Sequence, residues 1–261
     1  MQQITSFQNP LIKHLYSLTQ KSKLRREQRE FLIEGRRELT LAIEAGYLIK
    51  QLFFCSAILS QEEVEKQFAG EKLTEISMEI YQKLSYRSST EGILALAQTK
   101  DHFLSELTFH KENPLILIAE APEKPGNIGA LLRTADAAGV DAVCIANPKT
   151  DLYNPNVIRS SIGTLFTVPI ATASTKEILS FLQKENFTIY CAALSASVPY
   201  DSVSYRGRTA IVVGTEDVGL SPQWLSASSK NIIIPMRGKI DSMNVSTSAA
   251  VLIFEAVRQR K

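Results

Sequence analysis

Residues 115–119 read LILIA, five apolar residues in a row, and shorter apolar runs return at 142–145, 188–192, 210–213 and 232–234. A strand with one wet face alternates apolar and polar residues. A strand that is apolar throughout must be covered on both faces, which is the signature of a parallel sheet. Helical spacing fills the intervals: Gly129–Ala138 with Gly139 as its stop, Lys176–Glu185, and a closing stretch over Asn244–Arg258. A further strand is expected over Thr167–Ile170, after a long loop that runs to Val157. Strands alternating with helices predict an α/β fold with helices on both faces of the sheet. Such sheets take their ligands beyond the carboxyl ends of the strands.

The first hundred residues are more mixed. Arg29–Ala45 has apolar residues near helical spacing and ends before Gly46, so a helix is expected there. Strands are expected over Gln51–Cys55, Leu73–Ile76 and Gly92–Ala97, and helices over Gln61–Phe68 and Glu79–Leu84. Asp101–Pro114 is polar, lacks a clear period and closes on Asn-Pro; it reads as a linker. The expected organisation is a small α/β domain over 1–100, a linker over 101–114 and the larger domain over 115–261.

Charge matters here through its distribution. The chain has a net charge of +2, yet Lys13–Arg37 holds eight basic residues against three acidic ones. Such a run attracts phosphate backbones, or is a solvated helix face laced with Glu/Arg pairs. Its members Lys13, Lys21, Lys23, Arg25, Arg26 and Arg36, together with Arg87 further on, are the candidate contacts to such a backbone. Tyr16, Phe31, Tyr81 and Tyr86 read as core aromatics rather than base-stacking platforms. Cys55, Cys144 and Cys191 lie far apart, in no CxxC pair. The odd count predicts reduced thiols in a cytoplasmic protein, with neither a disulfide framework nor a cysteine-based zinc site. The longest apolar runs, such as Ala249–Phe254, fall well short of the about 20 residues a bilayer span requires. No secretory leader is visible, and neither membrane nor metal is expected as a partner.

Several common chemistries are missing from the larger domain. It has no GxGxxG after its first strand, no GxxxxGK[ST] and no GxSxG, so dinucleotide, P-loop and serine-hydrolase readings are unsupported. The three histidines, His14, His102 and His110, all precede residue 111, which removes the usual base and zinc ligand. Three segments at strand ends nevertheless concentrate glycines and polar residues. Glu120–Ala135 reads EAPEKPGNIGALLRTA, where Gly126, Asn127 and Gly129 open a helix that carries Arg133. Val213–Leu220 reads VGTEDVGL, and Ile232–Ser248 reads IIIPMRGKIDSMNVSTS. Glycines at a strand end let backbone approach a ligand. Taken singly, each segment is also explained by a plain strand–helix turn, a loop with two glycines, or helix capping by Ser242 or Asn244.

Together the three segments resemble the SpoU (TrmH-like) branch of the SPOUT superfamily of RNA ribose 2′-O-methyltransferases. The match is NxGxxxRxA at Asn127–Ala135, GxExxGL at Gly214–Leu220 and IPMxGxxxSxNVSxxA at Ile234–Ala249, in the family's order and spacing. Thr215 and Asp217 depart from the usual GNEGxGL, and Met243 stands for the leucine of SLNVS. The N-terminal part, through NPLIKHLYSL, REFLIEGRREL and STEGILALA, is similar to the family's L30e-like RNA-substrate-binding domain.

The resemblance implies a deep trefoil knot in the C-terminal chain, S-adenosylmethionine bound there in a bent form, and a homodimer. The implied catalytic set is Arg133, Asn127, Glu216, Ser242 and Asn244. Glu216 is expected to hold Arg133, and Arg133 to bind the target phosphate and lower the pKa of the hydroxyl, since guanidinium stays protonated. The implied cofactor set is Gly214, Thr215, Glu216, Gly219, Ile234, Pro235, Met236, Met243, Asn244 and Ser246. The expected activity is methylation of a ribose in ribosomal RNA. A tRNA-directed enzyme and a non-catalytic RNA-binding assembly factor remain open on these residues.

Overall fold

The structure, a computed structural model, describes residues 3–86, 91–195, 197–215 and 217–261. Its contacts divide the α/β chain into two compact units, Met1–Asp101 with Asp151–Thr167, and His102–Thr150 with Val168–Lys261.

The first unit contains strands β1 (Gln3–Ile4), β2 (Glu30–Glu34), β3 (Ile49–Phe54), β4 (Leu73–Ile76) and β5 (Ile93–Gln98). They form a mixed sheet in the order β1-β4-β3-β5-β2, antiparallel where β5 meets β2 and β3. Its helices are α1 (Pro10–Gln20), α2 (Ser22–Gln28), α3 (Arg36–Glu44), α4 (Gln61–Gln67) and α5 (Met78–Leu84), joined by α7 (Pro155–Ser161) from the later segment. Helix α1 starts where Asn9 accepts the Leu11 amide at 2.9 Å ahead of Pro10, a capped start with proline preset for the first turn. Ile12, Leu15 and Leu18 then face the core.

The helix expected over Arg29–Ala45 is instead strand β2 followed by α3. Phe31, Leu32 and Ile33 are three consecutive buried residues paired with β5. Gly35, at φ +105°, turns the chain into the helix, a conformation that favours glycine.

Residues 151–167 complete this unit. Tyr153 lies against Phe31 with ring centroids 4.4 Å apart, and Phe166 meets Tyr47 at 5.1 Å. The Tyr47 and Tyr153 hydroxyls are 3.2 Å apart, and burial pushes both phenols above their usual range. Asp151 pairs with Arg25, whose Nε donates at 2.8 Å. The loop expected to run to Val157 thus gives way to α7 at Pro155, and α7 packs on β2.

The second unit is a seven-stranded, fully parallel sheet. Its strands are β6 (Leu115–Glu120), β7 (Ala142–Ala146), β8 (Ile170–Ala173), β9 (Thr188–Ala192), β10 (Ser197–Pro199), β11 (Thr209–Val213) and β12 (Lys230–Ile233), in the order β10-β12-β9-β11-β6-β7-β8. Helices α6 (Pro125–Ala138), α8 (Thr175–Lys184), α9 (Pro222–Ala227) and α10 (Val245–Gln259) accompany it. Every residue of β6, β7 and β11 is buried, as their unbroken apolar runs require. The strand expected at Thr167–Ile170 begins later, with Ile170 opposite Val143, because Pro169 has no amide to give the ladder. The segment expected as a linker is not loose. Leu104, Leu107 and Phe109 pack against the second core, and the His102 carbonyl accepts the Thr172 amide at 2.7 Å.

Among the described residues, no helix is long and apolar enough to cross a membrane. No group of three or more His, Cys, Asp or Glu side chains among them is gathered to hold a metal.

Candidate active site

The carboxyl ends of β9, β11 and β12 open into a cavity of about 440 Å³. Chain direction within the sheet explains its place. From β6 the order runs outward through β7 and β8 on one side and through β11, β9 and β12 on the other, so the loops diverge at the switch point between β6 and β11, and the cavity lies on the β11 side of it.

Three local devices shape the walls. After β11 the chain turns back sharply: Thr215 and Gly219 exchange backbone hydrogen bonds at 3.3 and 3.1 Å. A Cβ on Gly214 would stand 2.3 Å from the Gly219 carbonyl carbon, so only glycine fits there. After β12, residues 234–243 run without helix or strand along the cavity. Asn244 then caps α10, its side chain accepting the Ser246 amide at 3.0 Å.

Of the residues expected to hold a cofactor, Gly214, Thr215, Gly219, Ile234, Met236 and Met243 line this cavity. Pro235, Asn244 and Ser246 do not line it; the latter two form the helix cap beside it. Glu216 lies outside the described residues, and so does Arg87. Asp217 and Asp241 also line the cavity, and no Lys, Arg or His occurs among its described lining residues. Leu194 and Val218, 62% and 86% exposed, put apolar surface at its rim.

A narrower cleft adjoins it, lined by Asn127, Lys124 and Glu120 and sharing Gly214, Thr215 and Asp217 with the cavity. Here the first and third motifs meet, as Asn244 Nδ2 donates to Asn127 Oδ1 at 3.2 Å. Ser242 lines the cavity and donates to Asp241 at 3.1 Å. Arg133 lines neither space. It is exposed on α6 and has no ion-pair partner among the described residues. Cys144 and Cys191 are buried, and burial pushes both thiols up to about 12, which keeps them from acting as thiolate nucleophiles.

The basic run divides. Lys13, Lys21, Lys23 and Arg26 are exposed. Arg36 is half-buried, with Glu63 at 3.8 Å. Arg25 is corrected from an RNA contact to a core residue. It is 2% exposed, donates to Asp151 and to the Leu18 carbonyl, and has no surface left for a phosphate. Of the four aromatics, Phe31 and Tyr81 are core residues, whereas Tyr16 and Tyr86 are exposed.

Sequence reasoning passed over Glu120. This carboxylate ends β6, is 7% exposed, and accepts hydrogen bonds from Ser221 and Thr175. An acidic residue closing an otherwise apolar strand was the available signal.

Fold and cavity define a two-unit α/β protein with a ligand pocket built from strand-end loops of a parallel sheet. The profile of the SpoU rRNA Methylase family matches residues 114–254, and the chain belongs to that family. Residues 9–95 match the MRM3-like substrate binding domain. The chain is 28% identical to the 23S rRNA (guanosine(2553)-2′-O)-methyltransferase RlmP of Bacillus subtilis, covering 97% of this chain and 98% of that one. A crystal structure described as an RNA 2′-O ribose methyltransferase is 42% identical over 99% of both chains, with a TM-score of 0.86. The AdoMet-bound rRNA methyltransferase of Sinorhizobium meliloti is 25% identical over 98% of this chain and 97% of that one, with a TM-score of 0.90.

Proposed function

We propose that this chain is an S-adenosylmethionine-dependent methyltransferase acting on a ribose 2′-hydroxyl of ribosomal RNA, in the cytoplasm and as a homodimer. The observation that carries the reading is the strand-end cavity, walled by glycine backbone and apolar side chains, with two carboxylates and no cation among its described lining residues. A phosphate-bearing cofactor is disfavoured by such a lining, whereas a ligand with a sulfonium and an ammonium group is favoured. The family membership and the AdoMet-bound relative agree with it.

When bound, S-adenosylmethionine supplies a methyl group on a cationic sulfur. The chain's own residues do the rest. Gly214, Ile234 and Met243 offer a slot for a flat adenine, and Asp217 and Asp241 complement the positive charge. Asn127, held by Asn244, faces the adjoining cleft where a ribose would sit. Arg133 binds the target phosphate and makes the hydroxyl more acidic, with Glu216 orienting it; permanently protonated, it acts through its field. Its exposed position away from the cavity of its own chain supports a dimer in which a second copy brings it to the site. The trefoil knot belongs to the same reading, with the stretch after β12 that walls the cavity as the threaded chain. The free cysteines at 55, 144 and 191 support a reducing compartment.

Methyl transfer from tritium-labelled donor to ribosomal RNA and to tRNA tests this. Arg133→Ala should lower transfer to ribosomal RNA by about 100-fold or more while calorimetry finds donor binding little changed. Donor affinity lost with Arg133 would reject this division of roles. Preferential labelling of tRNA would redirect the substrate, and no transfer by the wild type to either RNA would leave a binding factor.

A further inference from the structure

We infer that Glu120 is a positioning residue for the cavity: it fixes the downstream foot of the Gly214–Leu220 loop, and through that foot the wall against which the methyl donor lies. The inference rests on the proposed donor site and adds a residue to it. Glu120 stands at the end of β6, next to β11, and its side chain is buried. Its Oε2 accepts the Ser221 amide at 2.7 Å, and its Oε1 accepts the Ser221 hydroxyl at 2.7 Å and the Thr175 hydroxyl at 3.1 Å. Asn147, which follows β7, donates to the Thr175 hydroxyl at 2.9 Å and accepts the Thr175 amide. The carboxylate therefore ties the end of β6 to the starts of α8 and α9, and Asn147 joins the end of β7 to the same threonine.

At the far end of the loop it anchors, Leu220 packs in the second core, and the polar hold falls to Ser221. β11 fixes the Gly214 end, and the Thr215–Gly219 pair closes the turn. Beyond Leu220, which lines the cavity, the next residue is Ser221. Its amide opens α9, where a backbone N–H has no helical partner and needs an acceptor. Hydrogen bonds to a buried carboxylate are strong, and leaving their donors unmatched is costly. With Glu120 removed, the Ser221 foot loses its hydrogen-bonded anchor and the Thr215–Gly219 turn ahead of it loosens, while Leu220 keeps its apolar contacts.

The test uses the full-length protein. Glu120→Ala should weaken S-adenosylmethionine binding by about 10-fold or more in calorimetry. Glu120→Gln should bind the donor within about 3-fold of wild type, since its amide oxygen still accepts the Ser221 N–H and both hydroxyls can turn to accept from its NH₂. Amide hydrogen exchange at Gly219 in ligand-free protein should quicken about 10-fold in Glu120→Ala. If Glu120→Ala does not fold, Ser221→Ala is read instead, with about 3-fold weaker donor binding and faster Gly219 exchange expected. Unchanged donor affinity and exchange in the variant read would overturn the inference. So would Glu120→Gln behaving as badly as Glu120→Ala, because charge rather than anchoring would then matter. A wild type that binds no S-adenosylmethionine would instead reject the proposed function, and the exchange experiment alone would decide the role of Glu120.

Discussion

Beneath helix α2, the first unit surrounds a guanidinium with its carboxylate and a backbone carbonyl; at the strand ends, the second unit surrounds empty space with backbone and leaves its arginine outside. Arg25 is 2% exposed and bound to Asp151 and Leu18. Arg133 is exposed, with no ion-pair partner among the described residues. Both are arginines that sequence offers to a phosphate. The surroundings, not the residue type, assign one to holding a core together and leave the other open to solvent. A cation whose donors are already taken contributes stability, whereas one kept open can meet a ligand.

The hardest blow to this contrast comes from Arg25→Ala, which strands Asp151 in the core. Breaking a buried pair from one side costs about 3–5 kcal/mol, and urea melts should register that loss while Arg133→Ala stays within about 0.5 kcal/mol of wild type. Arg25→Met combined with Asp151→Leu should recover most of the loss, because an apolar pair of similar volume leaves no charge uncompensated. Equal melts for Arg25→Ala and Arg133→Ala would erase the distinction.

Gly214→Ala sharpens the other side. Its methyl would meet the Gly219 backbone at 2.3 Å, and overpacking of this kind costs about 1–3 kcal/mol. The strain falls on the turn that walls the cavity, so donor binding measured by calorimetry should be lost while the first unit melts as before. Donor affinity equal to wild type would show that the turn is not the wall it is taken for.

The smallest effect concerns the exposed cations of the first unit. Replacing Lys13, Lys21, Lys23 and Arg26 by serine should flatten the salt dependence of RNA binding by about 0.7–0.9 on a log–log plot for each phosphate that is no longer neutralised. Donor binding should be untouched. An unaltered slope would move the RNA-binding surface elsewhere.

Much of the second unit was legible in the sequence because its signals are local. Unbroken apolar runs fixed β6 and β11, Gly139 stopped α6, and the glycines of Gly214–Leu220 marked a wall of the cavity. What escaped depends on partners distant in sequence. Phe31, Leu32 and Ile33 fit a helix face when read alone and become a strand only when β5 pairs with them. Arg25 looks like one more surface cation until Asp151, 126 residues on, closes over it. The stretch up to Val157 reads as loop because the surface it buries is contributed by the other end of the chain. Glu120 was passed over for the same reason: it accepts from Ser221 and Thr175, and neither partner stands near it in sequence.

The composition of the first unit sets a timetable for synthesis. Its sheet and first five helices leave the ribosome early, but Asp151, Tyr153 and Phe166 are translated only after β6 and β7 of the other sheet. Until residues 151–166 emerge, Arg25 lacks its counter-ion Asp151, and Phe31 and Tyr47 lack Tyr153 and Phe166 as aromatic neighbours. The nascent N-terminal unit therefore waits, incomplete, for most of the polypeptide to be made, and a chain stalled before that point would present its unfinished aromatic core to chaperones.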